Sequence, residues 1–183
     1  GASPLSTDIQ VISPMYKGVV GVDSLNAALQ ERLNPGGEGL QAGARVLKPR
    51  DKVMQLRNNY DKNVFNGDIG VVVHADRARY RLFVDFDGRT VAYEKDELND
   101  IALAYAVSVH KAQGSEYQAV VMPLLTQHFI MLQRNLFYTA LTRAKKLAIV
   151  VGAYKALWIA IKNDKPVRRN SLVKDKLVRL AGM

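Results

Sequence analysis

The hydrophobic period of this 183-residue chain changes twice, and that change limits the fold more than any single motif. At the amino end the short β-branched run Ile9-Gln10-Val11-Ile12 stops at Ser13-Pro14 and predicts a buried strand. Gly18-Val19-Val20-Gly21 follows, and then a helix with Val22, Leu25, Leu29 and Leu33 on one face. Asn34-Pro35-Gly36-Gly37 ends that helix, because proline cannot continue it and glycine accepts the left-handed cap.

From Ala44 to Glu94 the helical period disappears. Arg45 to Lys48, Val53 to Leu56 and Ile69 to His74 are strand-like. Tyr80, Leu82, Val84 and Phe86 alternate with Arg79, Arg81, Phe83 and Asp85, the period of two of a half-buried strand. Asp87-Gly88 predicts a two-residue hairpin turn, since both positions tolerate positive φ, and Val91 and Tyr93 lie on the returning strand. Five short strands in so few residues predict a small antiparallel barrel of the SH3-like kind.

After Leu98 the first style returns. The pattern predicts a strand from Ala102 to Val109, a loop or helical turn at Lys111 to Glu116, and a strand from Ala119 to Leu124. A helix from Met131 to Thr142 would carry Leu132, Leu136, Phe137, Ala140 and Leu141 on its apolar face. A buried strand, Leu147 to Val151, and a helix, Tyr154 to Ile161, complete the series. Strands alternating with helices imply a mostly parallel sheet covered on both faces. The expected organisation is therefore a discontinuous α/β domain, residues 1–42 and 97–183, interrupted by a barrel at 43–96.

Composition narrows the function classes. The chain has no cysteine, so disulfides and thiolate metal sites are excluded. His74, His110 and His128 lie far apart without metal-ligand spacing, and no metal site is expected. No apolar run approaches the roughly 20 residues of a membrane-spanning helix. No secretory signal pattern appears, so a cytoplasmic location is expected. The net charge of +9 suits a polyanionic partner such as nucleic acid, although a solvated basic surface would give the same number. From Lys162 to Met183 seven basic residues face two aspartates, a net of +5. Arg168 and Arg169 could there meet a DNA backbone, while Leu172, Val173, Leu177 and Leu180 have the spacing of a helix packed on the rest.

A complete catalytic engine is missing from the sequence. No G-x-x-x-x-G-K-[ST] phosphate loop occurs, and Gly36-Gly37-Glu38-Gly39 lacks the following lysine and hydroxyl. Neither G-x-S-x-G nor H-E-x-x-H is present. Two segments nonetheless concentrate polar chemistry. In Tyr105 to Tyr117 an apolar strand runs into Ser108, His110, Lys111, Gln113, Gly114 and Glu116, the strand-to-loop passage where open α/β sheets hold ligands. In Asn135 to Lys146, Arg143 stands between a helix and a strand, offering a bidentate cation to a phosphate. Taken alone, a polar connection explains the first segment equally well, and a surface arginine stabilised at a helix end explains the second better.

Together the two segments resemble superfamily-one helicases. Ser-Val-His-Lys-Ala-Gln-Gly-Ser-Glu, Ser108 to Glu116, looks like their motif V, and Tyr-Thr-Ala-Leu-Thr-Arg-Ala, Tyr138 to Ala144, like their motif VI. Ser-Pro-Met-Tyr-Lys-Gly, Ser13 to Gly18, followed by Gly-Val-Asp-Ser-Leu-Asn, resembles the RecD-type motif IV. The expected barrel between motifs IV and V favours RecD-like over Pif-type and UvrD-type relatives. The resemblance spans about residues 8 to 180.

It implies a RecA-like parallel sheet, of the P-loop NTPase type but without the P-loop, interrupted by a small SH3-like β-barrel. It further implies the carboxyl-terminal fragment of an ATP-dependent 5′-to-3′ DNA helicase, inactive alone. ATP would lie between two RecA-like domains, with Mg²⁺ ligands on the amino-terminal one. Arg143 would be the arginine finger. Lys17, Gly114 and Glu116 would face the nucleotide, with lysine at a position where relatives often have arginine. Ser108 and His110 would face phosphates of single-stranded DNA. Tyr16 would pack near the adenine or in the core. Arg77, Arg79, Arg81 and Arg89 would let the barrel guide DNA, or else form its solvated face. The chain is expected to be monomeric and to bind no membrane. The competing reading is a non-catalytic DNA- or protein-binding module on a helicase-derived scaffold.

Overall fold

The computed structural model describes residues 8–126 and 133–164. Two sheets organise them. The first is a four-stranded parallel sheet built from β1 (Ile9–Ser13), β9 (Ala106–Ser108), β10 (Tyr117–Leu124) and β11 (Ala144–Gly152), in the order β11-β10-β1-β9. Helices α1 (Val22–Leu33), α2 (Arg134–Leu141) and α3 (Tyr154–Lys162) connect or follow its strands. Ile12, Val120, Met122 and Leu124 form its centre together with Ala140, Ala156 and Ala160 of the helices. Met131 and Leu132 of the expected second helix fall outside the described residues, as does the basic tail.

The second sheet is antiparallel, β7-β6-β5-β4-β8, from β4 (Lys52–Gln55), β5 (Ile69–Asp76), β6 (Arg81–Phe86), β7 (Arg89–Tyr93) and β8 (Ile101–Leu103). A separate ribbon of β2 (Leu40–Ala42) and β3 (Arg45–Leu47) pairs only with itself. The alternation in β6 has its predicted effect: Leu82, Val84 and Phe86 are buried. Asp87 and Gly88 take φ of 50° and 87°, and Phe86 pairs with Arg89 across the turn. Tyr80, expected in the strand, instead occupies a left-handed turn before it, at φ 55°.

Three expectations are corrected. The antiparallel strands do not close into a barrel. No ladder joins β7 to β8, and the ribbon covers the sheet by side-chain packing, with Leu40, Ala42 and Leu47 in one core with Val53, Leu82 and Tyr93. The single strand expected from Ala102 to Val109 is two strands. β8 pairs with β4 (Val53 opposite Leu103), whereas β9 pairs with β1 (Ser13 opposite Ser108). Gln10 holds the crossing, its side-chain amide donating to the carbonyls of Ala104 at 3.0 Å and Tyr105 at 3.1 Å. Finally, Leu147 to Val151 do lie in a strand, but at the sheet edge. Leu147 is 52% and Val151 55% exposed, so the described parts leave this strand largely uncovered.

Candidate nucleotide- and DNA-binding site

Parallel pairing brings the carboxyl ends of β1 and β9 side by side at Ser13 and Ser108. Each chain then turns away. Ser13 Oγ donates to the carbonyl of Val20 at 2.7 Å and so folds the β1–α1 loop back on its strand. Ser108 Oγ accepts from the backbone N–H of Lys111 at 3.3 Å, and Ala112 N–H donates to the Ser108 carbonyl at 3.0 Å. These bonds wind residues 109–114 into a tight polar turn. Gly114 closes it at φ +85°, a left-handed conformation costly to other residues, with no atom within 4 Å of where a side chain would begin. That open face permits close approach of a ligand to the backbone.

The far side of the turn meets the α2–β11 junction. Tyr117 N–H donates to the carbonyl of Arg143 at 2.8 Å. The Arg143 guanidinium donates to the carbonyls of Thr139 at 3.2 Å and Ser115 at 3.3 Å and to Thr142 Oγ1 at 3.3 Å. All three acceptors are neutral. Among the described residues no carboxylate pairs with Arg143, so its charge stays available to an anion while its stem is fixed. Burial pushes the neighbouring Tyr117 hydroxyl up in pKa, with the nearby Ser115 side chain and the Arg143 charge pulling the other way. Lys145 Nζ lies 3.3 Å from Glu116 Oε2, both half-exposed.

The structure thus ties Arg143 to the turn at Ser115, between Gly114 and Glu116 in the chain, while Ser108 and His110 stand at the start of the turn. His110 is exposed. Ser108 is only 2% exposed, and its hydroxyl bonds that of Tyr16 at 2.9 Å. Tyr16 is 51% exposed, which removes it from the core. Lys17 is exposed in the β1–α1 loop, and no hydrogen bond or ion pair links it to Arg143, Gly114 or Glu116. Among the described residues no group of three or more His, Asp or Glu is placed to hold a metal ion.

Two hollows beside this turn have no signature in the amino-acid pattern. A cavity of about 650 Å³ opens between α1 and the two sheets, with Tyr16, Ser108 and Lys111 among its lining residues. A smaller one of about 320 Å³ takes Glu116, Asp8, Asp68 and Asp87, a set of carboxylates unsuited to phosphate. Lys111, which sequence reasoning placed in no role, also bonds Asn66 Oδ1 of the β4–β5 loop at 2.5 Å, tying the turn to the antiparallel sheet. Three of the four arginines expected to guide DNA have local partners: Arg77 pairs with Glu38, Arg81 with Glu94, and Arg89 bonds the carbonyls of Lys62 and Asn63.

Known proteins resemble this chain in sequence and fold. Residues 25–86 match the family model described as the ATP-dependent RecD-like DNA helicase SH3 domain, and residues 103–151 match the UvrD-like helicase C-terminal domain. The ATP-dependent RecD2 DNA helicase of Deinococcus radiodurans is 42% identical over 90% of this chain and 23% of its own length. The RecBCD enzyme subunit RecD of Mycolicibacterium smegmatis is 33% identical over 91% of this chain and 28% of its own length. The chain therefore spans about a quarter of the relatives it matches. A Bacteroides Pif1 structure bound to single-stranded DNA superposes with a TM-score of 0.58 over 97% of this chain and 46% of its own, at 18% identity, a likeness of fold alone. With a match to the RecD-like helicase SH3 model followed along the chain by a match to the UvrD-like helicase C-terminal model, the chain belongs to the RecD-like superfamily-one DNA helicases.

Proposed function

We propose that this chain is the carboxyl-terminal motor part of an ATP-dependent 5′-to-3′ DNA helicase, in which Arg143 is the arginine finger and the turn from Ser108 to His110 is part of the single-stranded DNA track. The observation that carries the reading is the Arg143 guanidinium, held by three neutral acceptors beside Gly114 with no carboxylate among the described residues to neutralise it. A cation so fixed loses little entropy when it meets charge developing on a transferred phosphoryl group. The analogous finger in GTPases is worth roughly 10³–10⁵ in turnover.

In this reading ATP and Mg²⁺ lie against a first RecA-like domain that carries the phosphate loop and the metal ligands. Gly114 lets the nucleotide approach the backbone, Glu116 meets the ribose once released from Lys145, and Lys17 adds charge as a point cation. The motor domain comprises residues 1–42 and 97–183 around an insertion at 43–96, with β2 and β8 joining the inserted side through their pairing. The protein works in the cytoplasm, and the chain is a monomer. Its family names support a helicase.

In the full-length protein, Arg143→Ala should lower ATP turnover by orders of magnitude and leave single-stranded DNA affinity nearly unchanged. Steady-state phosphate release and DNA titration check both halves, and near-normal ATPase removes Arg143 from the role. The 183-residue chain alone should release no phosphate.

A further inference from the structure

The 650 Å³ cavity falls within the roughly 300–1,000 Å³ of ordinary ligand sites. Its walls are apolar: Val22 of α1, Met54 of β4, Leu103 of β8 and Val107 of β9, each at most 8% exposed. Asn26, the polar group at its floor, is already satisfied, its amide exchanging both hydrogen bonds with the backbone of Ala106 at 2.9 Å. The interior therefore requires no hydrogen bond from a ligand and offers it a surface for apolar contact. The edge is different. Tyr16, half-exposed, stands there with its hydroxyl on Ser108, and Arg45 and Lys111 outnumber the single carboxylate of Asp23, leaving the lining net positive.

Ser108 faces the proposed strand yet is almost fully buried, its hydroxyl occupied by Tyr16 and by the Lys111 N–H. The first side chain a strand meets at this position is thus an aromatic ring rather than the serine. We propose that the cavity accepts one unstacked base of single-stranded DNA against the Tyr16 ring, with Ser108 positioning that ring and Lys111 and Arg45 meeting the flanking phosphates. The inference rests on the DNA-track reading above. A slot whose walls are apolar and whose buried Asn26 is already paired takes any base by its π-face, so recognition is indifferent to sequence. A single strand supplies the base at lower cost than a duplex, where pairing must also be broken. The charge of +9 and the basic rim favour this occupant over an apolar peptide.

The test compares two strands with the same phosphates. Fluorescence anisotropy would measure binding of the 183-residue chain to an oligothymidylate of about twelve residues and to an equally long strand of abasic sites. The thymidine strand should bind roughly 5- to 150-fold more tightly, the range expected for one base–aromatic stack. Tyr16→Ala should bring the two strands to parity while the slope of log affinity against log salt stays the same. Tyr16→Phe, which keeps the ring and loses the bond to Ser108, should retain most of the preference. Ala27→Phe, which fills the cavity from α1, should abolish the preference with Tyr16 intact, circular dichroism confirming the fold of each variant. Equal affinity of the unaltered chain for both strands, with salt-dependent binding preserved, overturns the base site and spares the track. Failure to bind either strand at low salt overturns both. A preference surviving in both Tyr16→Ala and Ala27→Phe places the base elsewhere and overturns the assignment.

Discussion

The two sheets solve the problem of burial differently. The antiparallel sheet and its ribbon enclose a core drawn from residues 40–105, in which Leu47, Val53, Leu82, Val84 and Ile101 are fully buried. The parallel sheet buries its middle strands but leaves the apolar edge β11 uncovered among the described residues, and Tyr138 and Trp158 on its helices are also exposed. The antiparallel sheet and its ribbon close around their core, whereas the parallel sheet keeps an apolar edge open among the described residues.

This contrast is tested most severely by matched truncations. Leu82→Ala should destabilise by about 2–5 kcal/mol, since it empties a closed core. Val151→Ala, at 55% exposure, should cost below about 1 kcal/mol in the same chain. Urea unfolding of both variants measures the difference. Equal losses would mean that β11 is covered in solution and the contrast collapses.

The joint between the sheets is polar, and it carries a pH signature. Lys52 of β4 is 1% exposed and donates from Nζ to the Ile9 carbonyl of β1 at 2.9 Å. Burial lowers its pKa to about 8, with Asp8 opposing the shift. In the unfolded chain the same group binds its proton up to about pH 10.4. Between these values the unfolded state holds more protons, so stability rises with pH. The gain should approach the order of 3 kcal/mol by pH 10. Above that pH, Tyr93 and Tyr105, both raised by burial, reverse the trend because they ionise first in the unfolded chain. Chemical denaturation from pH 7 to 10 reads the slope, and Lys52→Met should flatten it.

Much of the fold was legible because its signals are local. The alternation from Leu82 to Phe86 and the Asp87-Gly88 turn describe one hairpin, and neighbours in sequence settle it. Motifs V and VI were legible for another reason: Ser108 to Glu116 and Tyr138 to Ala144 are dense in unusual side chains. The joint was not legible. Gln10, Asp51, Lys52 and Gln55 lie in or beside apolar strands, where polar residues ordinarily mark a solvent face, yet all four are fully buried. Their partners are distant in sequence: Asp51 accepts from Asn34, 17 residues away, at 2.7 Å and from Tyr105, 54 residues away, at 2.8 Å, and Gln10 donates to Ala104, 94 residues away. The split of Ala102 to Val109 was hidden likewise, because one unbroken apolar run serves two sheets. The edge position of β11 was hidden too, since burial of an apolar run depends on what packs upon it and not on the run itself.

The smallest predicted effect bears on whether the sheets unfold separately. Gly88 completes the β6–β7 turn at φ 87°, with nothing within 4 Å of an added Cβ. Gly88→Ala therefore meets no clash and pays only the left-handed backbone penalty, about 1–2 kcal/mol, while Gly88→Asn should pay less. The turn is local to the antiparallel sheet, whereas the parallel strands return from distant parts of the chain. If the polar joint lets the units open independently, the loss belongs to one of them. Hydrogen exchange should then show weakened protection at β6 and β7 amides and unchanged protection at β1 and β10. A uniform loss across both sheets would instead show that Lys52 and Gln10 couple them into one cooperative unit, and the distinction between a complete insertion and an open motor layer would hold for packing but not for unfolding.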